Sequence, residues 1–250
     1  MSDSGSTIAR SGFVTLAGRP NVGKSTLLNA VCGRKLSIVS DKPQTTRFPV
    51  RGVVNRADVQ IVFVDTPGLH KPVTELGRSV NRAAIESLDG VDVACLVLDA
   101  TAPFGRGDRW VAERLPQDLV VVVNKVDRAT PAQIGAQLTA AGELDASAYF
   151  AVSARTGDGV TDLLDHLAAR MPEGPALFPP DMPTDLAEDA WVAELVREQL
   201  LAVTRDELPY SIAAVAMAVR GHSALTATPS ARSSSAMPST QRLMPYFDIV

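Results

Sequence analysis

The sequence predicts an α/β fold with a mostly parallel sheet covered on both faces, succeeded by a smaller second unit. Three observations carry this. Val93–Leu98 and Leu119–Val123 are apolar runs with no polar face, the pattern of strands buried on both sides. Such runs alternate with stretches of helical periodicity, as in successive β–α–β units. A proline-rich stretch from Met171 to Pro183 then interrupts the pattern and sets the C-terminal part of the chain apart. With 46% apolar and 21% charged residues among 250, the chain has material for a large folded domain and a small one. A net charge of −4 excludes a chain that is basic throughout, though not a local basic patch. Two cysteines, Cys32 and Cys95, exclude a disulfide framework and fit a reducing compartment. No apolar run reaches the roughly 20 residues that span a bilayer, and Met1–Arg10 has no apolar signal-peptide core.

The first predicted element, Gly12–Ala17, is a strand that runs into a glycine-rich loop, and Leu27–Cys32 continues as helix. Leu36–Pro49 is irregular, broken by Asp41, Pro43 and adjacent threonines. Val50–Val54 and Gln60–Val64 are strands joined by the polar turn Asn55–Asp58. A helix is expected over Glu75–Leu88, with Ala84, Ile85 and Leu88 at helical spacing. Strand Val93–Leu98, a helix over Asp108–Leu115, strand Leu119–Val123 and a helix starting at Pro131 come next. Ala148–Val152 is a strand, and Val160–Ala169 a helix with Leu163, Leu164 and Leu167 on one side. Past the prolines, Glu188–Val203 reads as a helix burying Trp191, Leu195, Val196 and Leu200, and Leu208–Met217 as the start of a strand. Beyond Gly221 the Ser/Ala/Thr/Pro composition predicts disorder, because it buries too little apolar surface to offset the entropy of ordering.

The loops between these elements carry the chemistry. Gly18-Arg19-Pro20-Asn21-Val22-Gly23-Lys24-Ser25-Thr26 contains the full phosphate-loop pattern, with a strand before it and a helix after. Its glycines let the backbone aim N–H groups at phosphate oxygens, and the helix N-terminus adds partial positive charge. Lys24 is placed to bridge β- and γ-phosphates, and Ser25 to ligate Mg²⁺, a cation that takes few protein ligands. Asn124-Lys125-Val126-Asp127 comes after a later strand. A carboxylate at Asp127 accepts from N1–H and the 2-amino group of guanine, which selects GTP or GDP over adenine nucleotides and argues against an ATPase or kinase. Asn124 ties this loop to the phosphate loop, the Lys125 stem covers the base, and the Ser153-Ala154 backbone offers an N–H to guanine O6. Asp65-Thr66-Pro67-Gly68 ends a strand: Asp65 holds Mg²⁺ through water, and the Gly68 N–H reaches the γ-phosphate. Thr45 or Thr46 completes the Mg²⁺ shell, with Thr46 preferred. Lys24, Thr46, Asp65 and Gly68 form the candidate catalytic set. Leu69 stands where many GTPases carry a glutamine that orients the attacking water.

With these motifs in hand, a closer resemblance emerges. Gly18 through Asn29, Pro43-Gln44-Thr45-Thr46-Arg47 and Asp65-Thr66-Pro67-Gly68-Leu69-His70 resemble the Era family, bacterial GTPases of small-subunit ribosome assembly. So do Phe178 through Asp185, Glu194-Leu195-Val196-Arg197-Glu198 and Glu207-Leu208-Pro209-Tyr210-Ser211, which carries the match over roughly residues 10–215. The resemblance implies a P-loop G domain over residues 10–170, a linker over 171–185, and an α+β KH-like RNA-binding domain starting at 186. It implies hydrolysis of GTP to GDP and phosphate, with 16S rRNA and the 30S subunit as partners. It further implies a K⁺ ion held by Asn21 near the α- and γ-phosphates. A cytoplasmic monomer, peripherally associated with the inner face of the membrane, completes the implied picture. The sequence departs from the family after Ala213, where no Gly-x-x-Gly loop occurs. The KH-like unit is therefore read as partial, ending near residue 220, with a low-complexity tail over 221–250. The alternative reading is a truncated product that binds guanine nucleotide and is defective in RNA binding.

Overall fold

Burying alternate residues of a valine-rich strand on opposite faces forces a sheet with helices on both sides, and that is the arrangement observed. The computed structural model describes residues 8–42, 45–46, 48–69, 90–116 and 118–203. Six strands form one sheet: β1 (Arg10–Ala17), β2 (Val50–Arg56), β3 (Val59–Asp65), β4 (Val93–Asp99), β5 (Leu119–Asn124) and β6 (Ala148–Ala151). Their order is β2-β3-β1-β4-β5-β6. Only β2 runs antiparallel to its neighbour. Every residue of β3 and β5 is buried.

The two faces divide by residue parity. Val14, Leu16, Ile61, Phe63 and Val120 pack with Leu27, Leu28 and Val31 of α1 (Lys24–Cys32) and with Leu163 and Leu167 of a later helix, Val160–Ala169. Leu96, Leu98, Val121 and Val123 pack on the other face with Val111 of α2 (Arg106–Ala112) and Ala141 of α3 (Pro131–Ala141). Val160–Ala169 is α4, and α5 is Glu188–Val203. Cys95 is fully buried and Cys32 half-buried, and burial pushes both thiols up to about 12, which leaves them inert core residues.

The topology sets the site. β1, β3, β4 and β5 run parallel, so the loops after them open on the same edge of the sheet. Leu16 is in register with Asp65 and Asp99 with Asn124, which brings the motifs side by side at the carboxyl ends of their strands.

Several elements differ from their sequence expectation. The helix expected from Leu27 starts at Lys24, launched by Gly23 at φ 98°, so Lys24, Ser25 and Thr26 form its first turn. β2 and β3 run on to a two-residue turn, with Ala57 in the left-handed region at φ 48°. α2 starts earlier than expected because Asp108 caps it: its carboxylate accepts the Gly105 N–H at 2.9 Å. The residues read as a linker are strapped to the sheet. Gln60, fully buried on β3, accepts from the Leu177 and Phe178 N–H groups at 2.7 and 2.9 Å and donates to the Phe178 carbonyl at 2.9 Å. The Val53 N–H on β2 donates to the Pro183 carbonyl at 2.9 Å. On α5 the buried residues are Ala193, Arg197, Glu198 and Leu201, whereas Trp191, Leu195, Val196 and Leu200 are not fully buried. The expected helix over 75–88, the strand over 208–217 and the tail beyond 221 lie outside the described residues. Among the described residues no helix is long and apolar enough to cross a membrane.

Candidate functional site

A cavity of about 450 Å³ opens at the carboxyl edge of the sheet, within the size range of small-ligand sites. Pro20, Asn21, Gly23, Lys24, Ser25 and Thr26 form one wall; Thr46, Gly68, Lys125 and Arg128 contribute to the others. Two glycines are required by close approach. Gly23 sits at φ 98°, and a Cβ there would collide with the Asn124 amide; a Cβ on Gly68 would lie 2.8 Å from the Pro20 Cα. Val22, only 2% exposed, anchors the loop in the core beneath.

Lys24 is buried, and its ammonium donates to the loop's own Gly18 and Arg19 carbonyls at 3.2 and 3.0 Å. Burial lowers its pKa from the ordinary 10.5 to about 8, opposed by the nearby Asp65 charge. The unfolded chain therefore binds this proton more tightly, so the nucleotide-free protein gains stability as pH rises from about 8 to 10.5. A bound polyphosphate restores the ammonium. Calorimetric titration with GDP at pH 9 is expected to show proton uptake, as binding heats that differ between buffers of different ionisation enthalpy, and much less of it at pH 6.5. The Arg19 side chain is fixed separately, its Nε donating at 2.7 Å to Asp108, which is 1% exposed.

A cluster of oxygens lies at the foot of the loop. The Asp65 carboxylate is fully buried; its Oδ2 accepts from Ser25 Oγ at 2.7 Å, Ser37 Oγ at 3.0 Å and Thr46 Oγ1 at 3.4 Å. Ser25 Oγ and Thr46 Oγ1 are 3.0 Å apart. Asp65 Oδ1 is buried without a partner. Burial pushes the Asp65 pKa up, while Lys24 and the three hydroxyls pull against it. Two hydroxyls beside an orphaned carboxylate oxygen suit a hard divalent cation of the Mg²⁺ type that completes its shell with water and phosphate. Among the described residues no three His, Cys, Asp or Glu side chains cluster as a self-sufficient metal cage. Of the two threonines, Thr46 joins the cluster; Thr45 Oγ1 turns away and donates to the Lys42 carbonyl at 2.7 Å.

The base-reading loop is braced to the phosphate loop. Asn124, 1% exposed, donates from Nδ2 to the Val22 carbonyl at 3.0 Å. Lys125, in the left-handed region at φ 68°, donates from Nζ to the Asn21 carbonyl and to Asp99 Oδ2, both at 2.6 Å. Burial raises the Asp99 pKa, but hydrogen bonds from Lys125 and Thr101 outweigh it and hold the carboxyl below its usual range. Asp127 is exposed, with Oδ1 accepting from Ser153 Oγ at 2.8 Å, so one face of its carboxylate is fixed.

Of the backbone groups expected to offer a contact to guanine O6, the Ser153 N–H donates to the Asp158 carbonyl at 2.9 Å and the Ala154 N–H to Asn124 Oδ1 at 3.0 Å, which braces Asn124 from its second side. Asn21 donates from Nδ2 to the Asp41 carbonyl at 2.6 Å. Sequence reasoning does not single out Ser37, Asp99 or Asp108 as site residues: they lie outside any motif, and only the sheet register and loop path bring them to the site.

A family model described as 50S ribosome-binding GTPase matches residues 13–125. Era of Mycobacterium tuberculosis is 48% identical over 213 residues, covering 82% of this chain and 71% of that protein. This chain belongs to the Era family of GTPases. The structure of Era in complex with MgGDPNP and nucleotides 1506–1542 of 16S ribosomal RNA superposes with a TM-score of 0.77 at 37% identity, over 83% of this chain and 72% of that one. Aquifex aeolicus Era with a tyrosine-to-alanine substitution, bound to GDP and AlF4⁻, matches with TM-score 0.77 at 36% identity over 82% and 72% of the two chains. As an Era-family member the chain is a guanine-nucleotide-binding protein that hydrolyses GTP.

Proposed function

We propose that this protein is a Mg²⁺-dependent GTPase switch acting in 16S rRNA processing and 30S ribosomal subunit assembly. The observation that carries the nucleotide half is the convergence of Ser25, Thr46 and Asp65 at the foot of the phosphate loop. In this reading the Lys24 ammonium moves from the Gly18 and Arg19 carbonyls onto the β- and γ-phosphates. Ser25 and Thr46 hold Mg²⁺ directly, and Asp65 holds it through water. The metal supplies charge neutralisation on the transferring phosphoryl group. The Gly68 N–H steadies the γ-phosphate in this reading, and loops held only by that phosphate and the metal release after hydrolysis. The base is read by Asp127, with Asn124 and Lys125 bracing its loop and the Ser153-Ala154 backbone offering an N–H to guanine O6. Removal of Mg²⁺ by chelation is expected to abolish hydrolysis; turnover unchanged by chelation would overturn the reading.

Leu69 is fully buried and offers the attacking water nothing, so another group must supply transition-state charge. We place a K⁺ ion there, held by Asn21 beside the phosphates. Its side chain already spans to the Asp41 carbonyl, which puts a second neutral oxygen next to it. Hydrolysis is expected to run at least several-fold faster in potassium than in sodium buffer, and equal rates would remove Asn21 from the metal set.

The domain plan is a G domain over 10–170, a linker over 171–185, a partial KH-like unit over 186–220 and a low-complexity tail over 221–250. The rRNA complex of an Era relative supports 16S rRNA as the partner. We further propose the cytoplasm, with peripheral attachment to the inner membrane face, as the place of action. The absence of a Gly-x-x-Gly loop after Ala213 favours a second reading: a monomer that binds guanine nucleotide and lacks the RNA grip. Titration against a 16S 3′-end fragment separates them. Tight binding that weakens steeply with salt supports the first reading, and salt-insensitive or absent binding supports the second.

A further inference from the structure

Helix α5 buries an arginine and a glutamate that lie outside the apolar set its periodicity predicts: Arg197 is 3% and Glu198 9% exposed. Both side chains meet the stretch that carries Lys35, Val39 and Thr45. Arg197 Nη2 donates to the Thr45 carbonyl at 2.5 Å. Its Nε and Nη2 also donate to the two Glu194 oxygens at 2.9 and 2.5 Å, a bidentate pairing that fixes the guanidinium plane. Glu198 Oε1 accepts the Val39 N–H at 2.9 Å, and Oε2 pairs with the Lys35 ammonium. The start of the loop is held from α1 instead, where Asn29 Oδ1 accepts the Leu36 and Ser37 N–H groups at 2.8 and 2.9 Å.

Burying charged side chains is unfavourable unless each is paired and hydrogen-bonded. Here the grips at Val39 and Thr45 are on main-chain groups, so the contact responds to the path of the loop backbone more than to its side chains. These two grips bracket Asp41. Thr45 adjoins Thr46, whose hydroxyl reaches Ser25 and Asp65.

We infer that Arg197 and Glu198 are positioning residues of the GTPase site: they hold the Val39 and Thr45 main chain so that the Thr46 hydroxyl stays on the Ser25–Asp65 cluster. The inference rests on the proposed role of Thr46, which closes on the metal of the triphosphate state. A diphosphate, lacking the γ-phosphate, draws little from Thr46, whereas a triphosphate with its metal draws fully. α5 therefore contributes to discrimination between GTP and GDP without touching either.

The test uses the full chain and fluorescence titration with Mg²⁺–GTPγS and with Mg²⁺–GDP, alongside thermal melts. Arg197→Ala is expected to weaken GTPγS about tenfold, the scale of one charge-assisted hydrogen bond, and GDP by less than about twofold. Arg197→Lys, which keeps a donor for the Thr45 carbonyl, recovers most of the loss. Glu198→Gln keeps an acceptor for Val39 but loses the ion pair, and gives a smaller loss of the same kind. If Arg197→Ala does not fold, Glu198→Gln carries the comparison. Equal losses for both nucleotides would mark the residues as mere packing and overturn the inference, as would no loss in any variant. Wild-type protein that fails to prefer guanine nucleotides would sink the functional reading instead; guanine-specific wild type with non-discriminating variants sinks only the role of α5.

Discussion

Lys24→Met is expected to lower GTP and GDP affinity by about 10²–10³-fold, the usual cost of removing one preorganised donor from a phosphate or oxyanion site. The same substitution is expected to leave the nucleotide-free fold intact or firmer. The ammonium is buried, held by two loop carbonyls, and burial already pulls its pKa down to about 8. A charge kept in such a place is held for the ligand rather than for the fold. Methionine matches the stem and removes the desolvated charge, although it strands the Gly18 and Arg19 carbonyls and leaves Asp65 without a counter-charge. Titration with a fluorescent guanine nucleotide and a thermal melt of the nucleotide-free form check the two halves together. Affinity within about threefold of wild type would remove Lys24 from the phosphate contacts. A large fall in melting temperature alongside weak binding would mean that the residue is structural.

The site is legible in the sequence to different depths for identifiable reasons. Motif residues whose role comes from their own chemistry and local spacing stand out: Gly18 through Thr26 between a strand and a helix, and Asn124 through Asp127 after a valine strand. Residues whose role depends on a distant chain crossing do not. Ser37 donates to Asp65, 28 residues away, from an irregular stretch with no periodicity to place it. Asp99 is hidden as the last residue of an apolar strand, and only the parallel register with β5 sets it beside Lys125. Apolar periodicity picks out Trp191, Leu195, Val196 and Leu200, which are half-buried, and misses the polar contact face of α5 because it assumes an apolar partner. A helix facing a loop with free N–H and C=O groups instead buries Arg197 and Glu198, whose hydrogen bonds complete that backbone. In the same way, composition shows that Met171–Pro183 is not helix, but only the buried Gln60 explains why it lies against β3.

Asp127→Asn is expected to exchange the base preference of the site. The loop is fixed independently of this side chain, by Asn124 on the Val22 carbonyl and by Lys125 on Asn21 and Asp99. Asp127 is exposed, so the substitution is expected to move stability by no more than about 0.5 kcal/mol. An asparagine keeps one oxygen for the Ser153 hydroxyl and turns an NH₂ group to where the second carboxylate oxygen was. Guanine presents its N1–H and 2-amino donors to that position, so a donor then meets donors, and GTP affinity is expected to fall by about 10²-fold or more. Xanthine carries a carbonyl in place of the 2-amino group and accepts from the new NH₂, so xanthosine triphosphate is expected to gain as GTP loses. Competition of the two nucleotides against a fluorescent probe reads the exchange directly. A parallel loss for both bases would show that the substitution has disturbed the loop. No loss for either would place the base away from Asp127. Only the crossing of the two affinities fits a carboxylate that reads guanine by its paired donors.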